Sequence, residues 1–578
     1  MSAFEIKRRA VTAMSDFATH LHPVLRRVYA GRGIGSDADL DLSLDRLLPI
    51  GTLENVEAAA QLLLAHRDAG RILIVGDFDA DGATSTALMV RGLRALRFAH
   101  VDFLVPDRFR FGYGLTPGIV GLAESRRPTL IVTVDNGVSS VEGVEAALAL
   151  GVPVLVTDHH LPGATLPRAQ VIVNPNLPGS RFASASLAGV GVAFYVMAAL
   201  AKHLGETQFK VAELLDLVAL GTVADVVPLD HNNRVLVAQG LKRIRAGRCV
   251  PGILALLEAA GRDHRQITAA DLGFAVAPRL NAAGRLTDMS VGINCLLADE
   301  PLEAARLAGA LSQLNDERRE IEQRMQEEAL GLVAALNIND AGESLGLCLF
   351  DEGWHQGVVG LVAGRIKDRV HRPVIAFARA EDGSLRGSAR SVVSVNIRDA
   401  LDSIAVRNPG LIDKFGGHAM AAGLSLQEHK LPLFERAFAA EIAARVDVGS
   451  LGGVIFSDGA LSAEEFNIDT ARALRSAGPW GQGFPEPVFD GEFKVFEARI
   501  VGGKHLKLQL QAGAGASLDA IAFGHVGGAS DDARLRGGAS VRLAFRLEVN
   551  EYRGNERVQL NCQHLEVCEP AGRSSPMC

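Results

Sequence analysis

Several things are missing from this chain, and each absence narrows what it can be. The six cysteines (Cys249, Cys295, Cys348, Cys562, Cys568 and Cys578) form no CxxC pair, which argues against a Cys-based zinc site and fits a reduced cytoplasm. No apolar run approaches the ~20 residues that span a bilayer, so no membrane insertion is expected. The opening MSAFEIKRRAVTAMSDF has basic residues but no apolar segment, so it is not a secretory signal. Neither a GxGxxG after a strand nor a GxxxxGK[ST] loop occurs, against a plain nucleotide-binding α/β protein. Positive charge is not in excess: the formal net charge of −8 does not advertise a nucleic-acid binder. Net charge can, however, hide an acidic metal site beside a local basic groove.

What is present is a globular composition, 48% apolar and 22% charged with only 5% aromatic, over 578 residues. That length implies roughly three to five domains. From Arg71 to Pro175, apolar runs such as RILIVG, TLIVTVDNG and VPVLVTDHH alternate with helix-like segments. Continuous β-branched runs between helices indicate a parallel sheet covered on both faces. The segment Leu302–Leu336 has helical periodicity and reads as a connecting helix between two lobes. A second α/β stretch runs from about Leu345 to Arg445. After GPWGQGFPEP the chain alternates apolar and polar residues, as a small β-barrel does, and EPAGRSSPMC reads as a disordered tail.

Polar residues gather where the parallel strands should end: Asp77, Asp79 and Asp81, then Asp135, then Asp158, His159 and His160. Ligands of open α/β sheets sit outside the carboxyl ends of the strands. A further acid, Asp225, follows the apolar LLDLVALGTVA. One aspartate after a strand caps a helix or closes a turn as readily as it binds anything. Carboxylates gathered at one sheet edge repel one another and require a cation. Asp and His without Cys suit Mn²⁺ or Mg²⁺. Two such ions, roughly 3.5–4 Å apart, can hold a phosphodiester and a hydroxide for in-line displacement.

In order along the chain, GDFDADG, VTVDNG, VTDHH, GTVADVVPL, APRLNAAGR, WHQGVVGLVAGRI, GSARS and GGHAMAAG resemble the motifs of the DHH phosphoesterases. Within them they resemble the bacterial 5′→3′ exonucleases specific for single-stranded DNA. The likeness covers about Pro49 to Val567. It implies a parallel-sheet DHH domain and a second, DHHA1-like α/β domain joined by a long helix, plus an OB-like barrel. The corresponding boundaries are 1–48 (N-terminal helical segment), 49–240 (DHH), 241–340 (helical region), 341–447 (DHHA1-like), 448–568 (OB-like) and 569–578 (tail). The resemblance implies that Asp79, Asp81, Asp135, His159 and Asp225 ligate metal, with Asp77 and Asp158 ligating or orienting. His160 would contact the scissile phosphate or stabilise charge building on it, although it can also serve only to hold its neighbour.

The groups that would bind a strand are more widely spread. PDRFRFGYG offers Arg108 to grip phosphate and Tyr113 to stack on a base, and it can equally be a solvated basic loop. By resemblance, Arg108, Ser388 and Arg390 form a 5′-phosphate pocket, while Arg279 and Gln356 face the strand near the cut. FGGHAMAAG lets backbone approach a phosphate, with His418 as donor, and tight packing explains its glycines about as well. In KHLKLQL, His505 and Lys507 share one face of a strand; with Lys504, Arg542, Arg546 and Arg553 they outline a DNA track or ordinary solvation. The resemblance favours the track.

The resulting expectation is a metal-dependent 5′→3′ exonuclease on single-stranded DNA, acting in recombination and repair. A cleft between its lobes would admit the strand. A single-strand-binding protein, a helicase and mismatch-repair proteins are plausible partners by resemblance, and a cytoplasmic monomer is expected. Two rivals stand beside it: a phosphoesterase of short RNA, cyclic dinucleotides or pyrophosphate, and a catalytically silent DNA-binding scaffold.

Overall fold

The computed structural model describes residues 4–11, 20–205, 209–335, 345–446, 452–511, 517–524, 535, 537–552 and 554–568. Leu336 at the end of the expected connecting helix, Arg553 and the tail after residue 568 lie outside them. The chain divides into two units, Ile6–Ser312 with Phe456–Cys578, and Met1–Glu5 with Gln313–Ile455. The N-terminal segment contains a strand, β1 (Glu5–Arg8), as well as the helix Pro23–Ala30.

Strands β2 (Arg71–Val75), β3 (His100–Leu104), β4 (Leu130–Val134), β5 (Val154–Thr157) and β6 (Val171–Val173) form the main sheet of the larger unit, in the order β3-β2-β4-β5-β6. Every neighbouring pair is parallel. All of β4 and all but the first residue of β2 are buried, which is why these strands read as unbroken aliphatic runs. Leu73, Val75, Ile131, Val154 and Val156 pack with Ile119 and Val144 into one core. Succession along the sheet reverses at β2, with β3 on one side and β4 on the other. Such a reversal opens a crevice at the carboxyl ends of the two central strands. Helix Ala80–Ala95 leaves β2 at that crevice and is buried along nearly its whole length.

The helix expected near residues 302–336 spans Pro301–Ala335. Beyond it, the smaller unit holds β7 (Leu347–Phe350), β8 (Val374–Arg379), β9 (Ser384–Arg390), β10 (Lys414–Gly417) and β11 (Ala421–Gln427), in the order β10-β11-β9-β8-β7. Only β7 and β8 are parallel. Its core is Phe377, Phe434 and Phe438 with Leu385, Ile397 and Leu401.

After β12 (Val454–Ser457) come the helix Ile468–Ser476 and the GPWGQGFPEP segment, both in the larger unit. There follows a closed barrel of β13 (Phe489–Val501), β14 (His505–Gln511), β15 (Ser517–Ala522), β16 (Ser540–Tyr552) and β17 (Asn555–Cys568), in the order β13-β14-β15-β17-β16. In β14 the leucines 506, 508 and 510 point inward, and His505, Lys507 and Gln509 alternate with them. None of the helices searched among the described residues is long and apolar enough to cross a membrane.

Candidate functional site

The tight turn after β2 and the start of the next helix set the acidic cluster. Asp79 caps that helix by accepting from the Gly82 N–H at 2.9 Å, so Asp81 falls in its first turn. A helix N-terminus favours negative charge there. Asp81 is buried and accepts from the backbone N–H groups of Gly189 at 2.7 Å and Val190 at 3.0 Å. Residue 189 has to be glycine, because a Cβ would lie 2.6 Å from the Asp135 carboxylate. Asp135 itself sits past β4 at φ +61, a left-handed conformation that Asp tolerates better than most residues. Asp225 arrives differently from the other acids. It closes a helix, Leu215–Ala224, that is buried on nearly every side.

These elements bring the ligand atoms of three groups together: Asp77, Asp79 and Asp135; Asp81, His159 and Asp225; and Asp135, His159 and His160, each within 4.8 Å. His159 Nε2 stands 3.2 Å from Asp135 Oδ1 and 3.5 Å from Asp225 Oδ2, bridging two of the acids. Asp77 Oδ1 is buried with no hydrogen-bond donor. A buried carboxylate oxygen in that state is costly unless a cation meets it. Burial, reinforced by the neighbouring acids, pushes Asp77, Asp81 and Asp135 well above the carboxylate range, and Asp225 up to about 7. An all-oxygen and imidazole donor set with an undonated oxygen fits Mn²⁺ or Mg²⁺.

Asp158 belongs to another class. Its carboxylate accepts from the N–H groups of Val138 (2.9 Å), His159 (2.7 Å) and His160 (3.1 Å), and from His160 Nδ1 (2.8 Å). Burial opposes its charge, yet the hydrogen bond and charge of His160 outweigh that and hold it below the usual range. Both its oxygens are engaged, and it lies outside the three groups, so it is placed to orient His160. Burial likewise opposes the His160 imidazolium, but Asp158 overrides it and pushes His160 up to about 9. The Tyr113 hydroxyl lies 3.1 Å from both the Asp135 carbonyl oxygen and His160 Nδ1. Since His160 Nδ1–H is given to Asp158, the hydroxyl donates to the carbonyl. Its ring packs edge-on to His160 and to Phe78, so Tyr113 is placed against His160, with about half of its surface open.

Arg108 is half-buried, 4.3 Å over the Phe78 ring, and donates to the Gly284 carbonyl at 3.3 Å; burial lowers its pKa while Asp77 and Asp79 work the other way. It therefore stands beside the acids. Arg279 departs from the expectation that it faces the strand. It is buried and donates to Ser312 Oγ (2.8 Å) and to the carbonyls of Ala275 (2.5 Å) and Ala259 (3.3 Å). The motif around it acts on the acidic loop through other residues, which the sequence reading missed. Asn281 Oδ1 accepts from the Ala80 N–H at 2.8 Å, and a Cβ at Gly284 would lie 1.8 Å from the Phe78 carbonyl oxygen. An Asn and a Gly three residues apart on a helix carry no sign of what they touch, so only the Arg drew notice.

In the smaller unit, Ser388 and Arg390 lie on β9, and Arg390 donates to Ser388 Oγ at 3.0 Å and to the Ala389 carbonyl at 2.8 Å. Burial alone lowers the Arg390 pKa, and among the described residues no ion pair to it is found. Gly360, near the start of helix Val359–Val370, abuts this pair: a Cβ there would lie 2.8 Å from Ser388 Oγ and 2.9 Å from Arg390 Nη2. Gln356 precedes the same helix and is half-buried. Ala421 on β11 is the register partner of Arg390, and the exposed His418 lies in the turn leading to it. A guanidinium without a carboxylate beside a helix start is suited to an anion.

On the barrel, His505 Nδ1 accepts from the Gly524 N–H at 3.0 Å, and its ring meets the exposed Phe523 edge-on at 5.2 Å. Lys507 is 3.7 Å from Asp519, and Arg546 pairs with Glu486. The track is therefore less basic than its sequence implied, and Phe523 adds an aromatic surface that the reading did not single out.

Comparison with known proteins gives three consecutive matches. Residues 71–222 match the DHH family N-terminal domain, 341–444 the DHHA1 domain and 457–564 the RecJ OB domain. The chain is 52% identical to the single-stranded-DNA-specific exonuclease RecJ of Escherichia coli (strain K12), over 96% of this chain and 98% of that one. It is 36% identical to the Thermus thermophilus protein of the same name, over 86% of this chain and 69% of that one. The solved structure of Thermus thermophilus RecJ in complex with Mn²⁺ superposes with a TM-score of 0.81 at 31% identity, covering all of this chain and 81% of that one. Its complex with Mg²⁺ gives 0.77 at 30% identity, covering 98% and 79%.

Proposed function

The chain belongs to the RecJ family of single-stranded-DNA-specific exonucleases, and on that footing we propose that it hydrolyses single-stranded DNA from the 5′ end, with two divalent ions, in recombination and repair. The observation that carries the reading is the convergence of Asp77, Asp79, Asp81, Asp135, His159 and Asp225 on overlapping groups of ligand atoms. The buried, undonated oxygen on Asp77 lies among them. These are the residues that would hold the ions. When bound, Mn²⁺ or Mg²⁺ supplies Lewis acidity and an activated water, which is why no Ser or Cys nucleophile is needed.

The chain's own groups do the rest. Asp158 holds His160 protonated and aimed, so that His160 donates toward a phosphate oxygen as charge builds on it. Tyr113 restrains the same ring and presents an open face on which a terminal base can stack. Arg390 and Ser388, with His418 near the same strand end and Gln356 just before the helix that abuts them, take the 5′-phosphate. Arg108, stacked on Phe78, completes the phosphate contacts near the acids. His505, Lys507 and the exposed Phe523 support the strand farther on. A single-strand-binding protein, a helicase and mismatch-repair proteins are the partners such an activity would meet.

The test is 5′-phosphorylated single-stranded DNA labelled at either end, incubated with Mn²⁺, Mg²⁺ or EDTA, with Asp135→Ala in parallel. Metal-dependent loss of nucleotides from the 5′ end that disappears in the variant is the expected result. Tight binding without cleavage under every metal would leave a silent scaffold. Cleavage confined to di- or trinucleotides would indicate a small-substrate phosphodiesterase.

A further inference from the structure

The GPWGQGFPEP segment connects to the barrel, and its contacts lead toward the acidic cluster. Asp225 ends a helix, and the residue after it, Val226, sits at φ +63. A β-branched residue adopts that conformation only where its surroundings impose it. Pro228 and Leu229, just past Val226, are held in place. The Leu229 N–H donates to the Gln482 carbonyl at 2.7 Å, and the Asn233 side-chain amide donates to the carbonyls of Pro228 (2.9 Å) and Ser186 (2.8 Å). Leu229 is buried beside Gly481, where a Cβ would lie 2.7 Å from its Cδ1. Gly483, at φ +72, leaves 3.2 Å between a Cβ and that of Pro228.

The segment is itself rigidly built. Trp480 stacks on Phe484 with centroids 5.2 Å apart, both rings meet Tyr29, and Trp480 Nε1 donates to the Leu474 carbonyl at 3.0 Å. Arg234 covers the Phe484 ring at 4.3 Å, and Arg32, paired with the buried Asp458 at 2.7 Å, covers Trp480 at 5.2 Å.

We propose that the GPWGQGFPEP segment is a positioning brace for Asp225: by fixing Pro228 and Leu229 it holds the end of the helix so that the Asp225 carboxylate stays beside His159. The proposal rests on the reading of Asp225 as a metal ligand. It makes metal affinity a property partly set by the entry to the barrel.

The measurement is Mn²⁺ binding to the full chain, followed by the electron paramagnetic resonance signal of free Mn²⁺, at a temperature where each variant is folded. Gly483→Ala should weaken Mn²⁺ about tenfold, the scale at which a ligand's supporting partner acts. Saturating Mn²⁺ should restore its kcat. Gly151→Ala imposes the same left-handed cost at φ +74, on a turn with open space around it, and should lower thermal stability while leaving Mn²⁺ affinity unchanged. Should Gly483→Ala fail to fold, Gly481→Ala replaces it and should weaken Mn²⁺ in the same direction, because its methyl presses on the buried Leu229 at Cδ1 (2.7 Å) and Cγ (3.2 Å). Asp225→Asn separates the two ideas. If it binds Mn²⁺ like the parent, the ligand assignment fails. If it binds weakly while the brace variant binds normally, the brace is overturned.

Discussion

Two regions of this protein carry unmet charge of opposite sign. At the carboxyl edge of the parallel sheet, Asp77, Asp81 and Asp135 are buried together and raised well above their ordinary pKa values by burial and mutual repulsion. On β9 of the smaller unit, Arg390 is pressed the other way, its pKa lowered by burial with only Ser388 and a backbone carbonyl as partners. Compare Glu441, as inaccessible as the sheet-edge acids but clasped by Arg407 at 2.7 Å and Arg445 at 2.6 Å, a cluster that is complete and calls for no ligand. Buried charge suggests a binding site only where its counter-charge is missing, and the missing sign indicates the ligand that would fit: cations at the sheet edge, an anion at Arg390.

The largest effect should come from attacking the acidic side. Asp135→Ala should lower single-turnover cleavage by roughly a thousandfold or more while single-stranded DNA still binds, because the loss falls on the chemical step. Equal losses in cleavage and binding would erase the distinction between the two regions. Next is Arg390→Ala. Removing one charge-assisted phosphate contact should lower kcat/KM about 30-fold on 5′-phosphorylated DNA and little on 5′-hydroxyl DNA, a gap seen by comparing the two substrates. An equal loss on both would remove the 5′-phosphate assignment.

The two regions should also differ in their response to pH. A carboxyl raised in the folded state favours the protonated fold, so that contribution is present below its unfolded value of about 4 and is lost as pH rises toward the folded value. For Asp225 that folded value is about 7. Metal-free protein should thus lose stability between about pH 4 and 7, and the rise in Tm on adding Mn²⁺ should be larger at pH 8 than at pH 6. The smallest effect belongs to the barrel. Lys507→Ala should weaken strand binding only a few-fold and reduce the salt slope by less than the ~0.7 of a full phosphate contact, because Asp519 already offsets part of the charge.

How far the sequence showed all this depended on the kind of signal each part leaves. Buried parallel strands have no polar alternation, so β2, β4 and β5 stood out as runs, and the acids just beyond them stood out by contrast. Asp225 was visible as an acid, but its support was not: a helix buried on nearly every side has no period to separate it from a strand. Arg279 and Arg390 look alike as letters. One spends its donors on its own fold and the other keeps a charge in need of a partner, a difference made by residues far away in sequence. The barrel's alternation was legible in β14, whereas the pairing of Lys507 with Asp519 required the register that sets β14 against β15.

The closed barrel has a further consequence. Its order runs from β13 through β14, β15 and β17 to β16, which pairs back with β13, so the sheet closes on itself, although β16 meets β13 only as far as Phe545 and β15 meets β17 only at Asp519–Ile521. An open edge recruits stray extended chain by backbone pairing, the route to strand exchange and to aggregates. Closure reduces that hazard along the stretches of the barrel that are paired on both sides. Along the stretches paired on both sides, whatever docks has to be recognised by side chains, since the backbone there is already engaged.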